Sequence, residues 1–483
     1  MEKNEKRHFI LNSSLQKGAK IYLQLFKVLE KQKVYDESYI KLKYKGEQFV
    51  NNFAVNKNYL YNLLIKSLTG YNYSKTADGK IHSLISECNI LFKKALYKRY
   101  FKTIAKAKST AIKYERFGYL IQLLDMEKII IPKSELQTEK SESMYYEVLK
   151  ANESIKNLFE YSRLAAELLN KYRNYGLNRD EAHTRNIDEL TSAEIMSSPR
   201  EAKSIRALEA YYRVTELAAA VKADNAAMYE ALLKRNEIVR DNPLPFKDYI
   251  IHYPSDILYS LTETCINLGK TDEAEKYLKA IKEVSLTNRS DQDDIAIYSS
   301  FAMLRINLKR GLIAGAVKLI PQLEKALVKY ENKMLIDTEL SIRYYIVICR
   351  LEEKNYTKAL KAANDLMKHP LLNKRADYEC YLKIIYLVIH FELKNFDLLK
   401  YLIISTYKYL YKREKLFKVE LLILEFIRKL PNVKREDDIY FMLNSLGKSL
   451  VKLKNDNYEK NAFEYFDLLK WVNSKIEVNR SSF

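Results

Sequence analysis

Along most of this chain the apolar residues recur every three or four positions, the spacing that places them on one face of a helix. The pattern is clearest over residues 256–284. Leu258, Leu261 and Cys265 form one stripe, and Ala274, Tyr277, Leu278 and Ile281 form a second, with a turn at residues 269–271 between them. The spacing predicts two amphipathic helices folded into a hairpin. Gly269 suits the position just past a helix end, where a left-handed backbone is easiest without a Cβ. Asp272 and Glu273 fall in the first turn of the next helix, where the helix dipole favours acids. Ala274 is small where two helices of a hairpin must approach closely.

The same arrangement returns further on. Gly311 is a turn position followed by Ala316, Lys354 is followed by Ala359, and Lys394 by Leu399. The turns at 269, 311, 354 and 394 are 42, 43 and 40 residues apart. A weaker copy has its turn at residues 223–225 and Met228 at the small position, and another is expected over residues 455–472. Self-similarity at this period means stacked units, none of which can bury its apolar face alone. The expected fold is therefore all-α: an α-solenoid of stacked antiparallel helix hairpins.

The first half is helical but less regular. Helices are expected over 13–31, 46–68, 81–97, 98–114, 117–130 and 144–175. Polar loops are expected at 69–80 and 136–143, and Pro132 ends the fifth helix. Gly176 stops the long sixth one. Residues 177–200 are polar and weakly periodic. The chain is thus divided into a basic N-terminal helical region (1–176), a connector (177–202) and the repeats (203–483). Pro243, Pro245 and Pro254 mark further loops.

The turn followed by a small residue, as in residues 268–274 and 353–359, resembles the tetratricopeptide repeat, and the resemblance covers roughly the last half of the chain. That family repeats every 34 residues, so the longer period here implies longer helices and a superhelix of different curvature. The chain as a whole resembles bacterial helical-repeat proteins, especially in the stretch from Lys45 to Ile131, which implies no particular activity.

Composition supports the helical reading. Of 483 residues only 10 are Gly and 8 Pro, too few for a turn-rich all-β chain, while 47% hydrophobic and 30% charged residues make a globular balance. Cys88, Cys265, Cys349 and Cys380 are scattered, form no Cys-x-x-Cys pair, and are read as buried reduced thiols, which fits a reducing compartment. The N-terminus lacks an apolar segment of signal-peptide length, and the most apolar runs, 381–391 and 421–427, are too short to span a bilayer. A cytoplasmic chain without membrane association is expected. The formal net charge is +20, and residues 1–140 hold 27 Lys and Arg against 13 acids. Lys, Asn, Ile and Tyr all have AT-rich codons, so codon bias also raises the basicity.

Phosphate-binding glycine loops, nucleophile elbows and zinc-protease motifs are absent, and the six histidines (His8, His82, His183, His252, His369, His390) have no metal-ligand spacing. Asp291, Asp293 and Asp294 read as an acidic helix start, and the Gly311–Gly315 spacing as close helix packing. No catalytic residue, metal or cofactor is expected. Two surfaces are candidates for binding. Lys94, Lys98, Lys102, Lys106 and Lys113 form a basic stripe that either tracks an anionic partner or is a solvated face. Lys93, Arg99, Lys108 and Arg116 add to the local charge. Nearby Tyr97, Tyr100 and Phe101 have the spacing of a buried stripe and also the ring chemistry of base stacking. On the expected 46–68 helix, Asn52, Asn56, Tyr59 and Lys66 share a stripe apart from Phe49, Phe53, Leu60, Leu64 and Leu68. Amides there can pair with an extended peptide backbone, as the tetratricopeptide resemblance also implies. The leading expectation is a non-catalytic scaffold that binds a protein or peptide. The alternatives are a solenoid that binds nucleic acid through its basic half, or a regulatory helical domain.

Overall fold

The computed structural model describes the chain except residues 2, 15–20, 33–34, 74, 130–136, 249–252, 284–288, 332, 431–432, 434–435 and 481–483. The described residues form 22 α-helices and no strand. None of these helices is long and apolar enough to cross a membrane. The helices are α1 (Lys3–Ser14), α2 (Ile21–Glu30), α3 (Glu37–Lys43), α4 (Phe53–Tyr73), α5 (Ala77–Lys93), α6 (Tyr97–Lys113), α7 (Phe117–Lys128), α8 (Gln137–Tyr175), α9 (Glu181–Thr191), α10 (Ile205–Val221) and α11 (Asn225–Asp241). They continue with α12 (Tyr253–Asn267), α13 (Thr271–Glu283), α14 (Arg289–Lys309), α15 (Ile313–Lys329), α16 (Ile336–Glu352), α17 (Tyr356–Met367), α18 (Ala376–Glu392), α19 (Phe396–Lys412), α20 (Lys418–Lys429), α21 (Glu436–Lys454) and α22 (Leu468–Arg480).

Two compact units divide the chain: Met1–Ile155 with Leu244–Tyr249, and Lys156–Pro243 with Ile250–Phe483. The division falls inside α8, not at the connector expected over 177–202. That segment belongs to the second unit, where it forms α9 and buries Asn178, Arg179 and Ile187. Its polarity had the look of a linker because its buried side chains are mostly polar ones with partners.

The expected turns share one geometry. Gly269 takes φ +75° and donates its N–H to the Ile266 carbonyl (3.1 Å), and the Lys270 N–H reaches the Cys265 carbonyl (2.8 Å). Both bonds recur at Gly311 and Leu312, Lys354 and Asn355, and Lys394 and Asn395, with φ of +73°, +61° and +58° at the first residue of each pair. They recur again at Ala223, and at three turns that the sequence did not mark: Ala95, Glu115 and Glu414. This Schellman arrangement gives donors to carbonyls that a helix end leaves unpaired. Ala274, Ala316, Ala359 and Leu399, each five residues past its turn, are fully buried.

In the second unit α12 packs on α14, α14 on α16, and α16 on α18, and each also packs on its hairpin partner. These helices meet neighbours on several sides, and their burial follows. In α18 nearly every residue from Ala376 to His390 is buried, as expected of a helix that is apolar all round. The partners bury a single stripe: Ala274, Leu278 and Ile281 in α13, and Ala359, Ala363 and Leu366 in α17. A Cβ on Gly315 would meet the Asn307 side chain at 3.2 Å, but one on Gly311 would meet nothing within 4 Å, so the close packing expected from the Gly311–Gly315 spacing holds at Gly315 alone.

The first unit differs in detail from the expectation. The 46–68 helix starts only at Phe53, because Gly46 (φ +102°) and Asn52 (φ +57°) turn the backbone out of helical geometry. Helix α4 then runs on to Tyr73, so most of the expected 69–80 loop is helical; Tyr71 packs on His8 and Tyr73 stacks on His82. Residues 137–143 are helical too. The 13–31 helix lies partly outside the described residues, as do Pro132 and His252 entirely. In the second unit, the copy over 455–472 lacks the left-handed turn. Its helices α21 and α22 are joined by a longer connection that contains a 3-10 turn, Glu459–Glu464.

A methyl group at Gly269 meets nothing within 4 Å. Gly269→Ala is therefore expected to lose about 1–2 kcal/mol through backbone strain alone, whereas Lys354→Gly should be neutral or stabilising. Ala274→Leu is expected to lose about 1–3 kcal/mol by overpacking. Urea unfolding of the three variants checks the shared register, and equal stability for all of them would disprove it.

Candidate functional site

The inner helices of the second unit turn one set of side chains toward a common groove. Tyr259 and Glu263 from α12, Phe301 and Arg305 from α14, Tyr344 and Tyr345 from α16, and Tyr378 from α18 line a cavity of about 510 Å³. A second cavity of about 550 Å³ shares Arg305, Tyr345, Glu464 and Tyr465 with the first and extends to Lys309, Glu352 and Lys470.

Most of the charges in the groove are already compensated. Arg305 pairs with Glu263, donates to Asn267 Oδ1 (2.9 Å) and lies 4.7 Å from the centre of the Tyr345 ring. Arg375 makes two bonds to Asp377 (2.9 and 2.7 Å) and lies 3.8 Å from the Tyr378 ring. Asp337 pairs with Arg173 (2.7 Å), and Asp256 faces Arg213 (3.4 Å) and Arg235 (3.6 Å). The remaining polar lining is chiefly tyrosine, serine and asparagine, and part of it is engaged within the unit: the Tyr344 hydroxyl donates to the Tyr465 carbonyl (3.2 Å) and Ser341 lies 3.0 Å from the Tyr378 hydroxyl. Burial raises the Tyr344 and Tyr345 hydroxyls above the usual phenol range and pushes Tyr172 up to about 12. These groups stay neutral near pH 7 and can both donate and accept.

One end of the groove is closed by two segments of the chain itself. Gly176 (φ +71°) passes so close that a Cβ would lie 2.5 Å from the Tyr465 hydroxyl and 2.6 Å from Asp377 Cβ. The Leu177 N–H then donates to the Tyr465 hydroxyl (2.9 Å), the Asn178 N–H to the Val221 carbonyl (2.8 Å), and Asn461 Nδ2 to the Asn178 carbonyl (2.6 Å). Arg179, 7% exposed, is the centre of this closure. It donates to Glu420 (2.7 and 3.0 Å), to Glu459 (2.6 Å) and to the Tyr381 hydroxyl. Glu459 also accepts from the N–H groups of Lys418 and Val419, at the start of α20. The Tyr465 ring stacks on Tyr381 at 4.2 Å, and Tyr344 on Tyr378 at 4.4 Å.

No protein-family model matches this chain, and neither does any curated protein or solved structure.

The residues proposed from sequence lie elsewhere, in the first unit. Asn56 does not offer its amide donor to a peptide: Nδ2 donates to the Asn51 and Phe49 carbonyls (2.8 and 3.2 Å) and closes the turn before α4. Asn52 is the left-handed residue of that turn, Tyr59 is half-exposed and edge-on to Tyr22, and Lys66 is exposed. None of the four lines either of the two cavities described above. The basic stripe is better preserved. Lys94, Lys98, Lys102, Lys106 and Lys113 are all exposed, as are Lys93 and Arg99. Lys108 and Arg116 leave it: Lys108 pairs with Glu127 (2.9 Å) and Glu147 (3.0 Å), and buried Arg116 with Asp78 (2.7 Å). Tyr97, Tyr100 and Phe101 face the core, and the Tyr100 hydroxyl donates to the Met126 carbonyl.

The four cysteines are buried free thiols. Burial pushes Cys88, Cys265 and Cys349 up to about 11 and Cys380 to about 12. Among the described residues no three His, Cys, Asp or Glu side chains gather as metal ligands would. The groove residues that sequence reading missed did carry a signal. Arg305 interrupts the stripe of Phe301, Leu304 and Leu308, and Glu420 occupies a stripe position with Ile423, Leu424 and Ile427. A charge at a core position needs a buried partner.

Arg179→Met leaves Glu420 and Glu459 buried without their cation. A loss of about 3–5 kcal/mol is expected, with near-ultraviolet dichroism reporting a changed environment for Tyr381 and Tyr465. A variant as stable as the parent would show that the closure does not hold this end of the unit.

Proposed function

We propose that the second unit is a non-catalytic holder that binds an extended segment of a partner protein in the groove between α12, α14 and α16. The observation that carries this reading is the lining. Neutral tyrosine hydroxyls, Ser260, Ser341, Asn225 and Asn267 stand beside arginines that already have carboxylate partners. Tyrosine offers broad contact at low entropic cost, and Ser and Asn supply adaptable hydrogen bonds, which is the composition of protein-recognising surfaces. Paired arginines disfavour a small multivalent anion, whose charge would have to displace Glu263 or Asp377. The repeated hairpin keeps the surface preformed, so little is lost to ordering on binding. The turn-and-small-residue pattern, similar to the tetratricopeptide repeat, supports the same reading. It moves the proposed peptide contact from Asn52, Asn56, Tyr59 and Lys66 to the inner helices of the second unit.

The test is site-specific photo-crosslinking in the native cell. A benzophenone amino acid in place of Tyr259 should capture a protein partner that the same probe at Lys279, exposed on α13, does not capture. Tyr345→Ala combined with Asn267→Ala should lower recovery of that partner by at least about tenfold, the equivalent of ~1.4 kcal/mol. Equal capture from both positions, or full recovery with the double variant, would refute the groove as the binding surface.

A further inference from the structure

The exposed face of α6 in the first unit is a separate surface with different chemistry. Lys98, Arg99, Lys102, Lys106 and Lys113 are exposed on it, and Lys93 and Lys94 lie just before it. None of the seven makes an ion pair among the described residues, although the two cations of this region that turn inward, Lys108 and Arg116, are both paired. Glu87, on the neighbouring helix, accepts the hydroxyl of Thr103 on the buried side of α6. The basic residues thus fall into two sets: the inward ones are neutralised locally, and the outward ones are left as an uncompensated row. Lys98, Lys102 and Lys106 follow one another at about 6 Å along the helix axis, and the row from Lys98 to Lys113 is about 22 Å long.

We infer that this face of α6 binds the phosphate backbone of double-stranded nucleic acid without reading its sequence. Charge complementarity commits it to a polyanion, because a duplex carries about one phosphate per 1.7 Å of its axis. The ring positions select the duplex over a single strand. Single-strand binding relies on exposed aromatic platforms, and here Tyr97, Tyr100 and Phe101 pack into the core. A membrane surface is disfavoured by the same burial. A helix lying in a lipid interface must insert an apolar face, and that of α6, with Tyr100, Ile104, Ala107 and Ala111, is buried in its own unit. Between the lysines the exposed face carries Ala105 and Ser109, and Ile112 beside Lys113 is its one exposed large apolar side chain, too little to anchor the helix in lipid; no base-reading pair stands among the charges.

The test uses the full chain and a fluorescein-labelled duplex of about 30 base pairs, with anisotropy followed between about 50 and 200 mM salt. Binding should weaken steeply with salt, and a scrambled duplex should bind within about threefold of the first. K98Q/K102Q/K106Q should flatten the slope of log Kd against log salt by about 2.7, three contacts at roughly 0.9 each. A variant with the same charge loss on α13 of the second unit, K276Q/K279Q/K282Q, should keep the full slope. Matching melting curves establish that both variants are folded, since all six lysines are exposed. The inference is overturned if the duplex does not bind at the lowest salt, or if the α13 variant flattens the slope as much as the α6 variant. It is equally overturned if vesicles of phosphatidylserine and phosphatidylcholine bind the α6 face and the duplex does not.

Discussion

The architecture depends on a single backbone residue per turn held at positive φ. A helix ends with carbonyls that have no donor, and the two bonds of the Schellman turn satisfy some of them within the shortest reversal available. Because the reversal is short, the next helix must return alongside the first, and the residue five positions on lands against it. That residue is buried at 274, 316, 359 and 399. The turn and the contact together fix these four hairpins, whereas α21 and α22 pair across a longer connection without it. Stacking of the hairpins then forces one helix of each pair inward, to be surrounded, and leaves the other with a single buried stripe. Only glycine adopts this conformation freely, yet Ala95, Glu115, Ala223, Lys354, Lys394 and Glu414 adopt it here. The packing and hydrogen bonds gained by the hairpin outweigh a local cost of about 1–2 kcal/mol.

A second constraint lies inside the second unit, where Arg179, Arg235, Arg305 and Arg375 are buried and each meets at least one carboxylate. Such pairs add little net stability over well-packed apolar groups, but an unpaired member is expensive. Their effect is therefore mainly on placement. Arg235 with Glu209 and Glu216 ties α11 to α10, and Arg179 draws the segment after α8 onto α20 and the 3-10 turn before α22. Arg305 and Arg375, held by Glu263 and Asp377, set the positions of the tyrosines beside them. The groove keeps its polar character because its strongest charges are satisfied within the protein.

The two units thus present surfaces of opposite kinds. The groove of the second unit is concave and aromatic, with its charges largely paired, and suits many weak directional contacts to a polypeptide. The α6 face of the first unit is a row of exposed cations without ion pairs among the described residues, the surface proposed above for a partner of high charge density. A protein that joined both activities would hold a bound protein segment and a nucleic acid through one chain.

By itself the sequence determined the all-helical class, the hairpin period, the turns at 269, 311, 354 and 394, the buried cysteines and the exposed lysines of α6. These features follow from short-range periodicity and from the conformational range of individual residues, both of which are local. Tertiary structure decided the rest. It converted the polar stretch 177–202 from an expected connector into a packed part of the second unit, because Asn178 and Arg179 find partners more than two hundred residues away in Asn461, Glu420 and Glu459. It turned the Asn56 amide onto its own backbone, and Tyr97, Tyr100 and Phe101 into the core. It also gathered Tyr259, Arg305, Tyr345 and Tyr378 into one groove from helices that are roughly forty residues apart in the chain. Polar side chains take their role from the partner they meet, and that partner is set by how the hairpins stack, which no local pattern encodes.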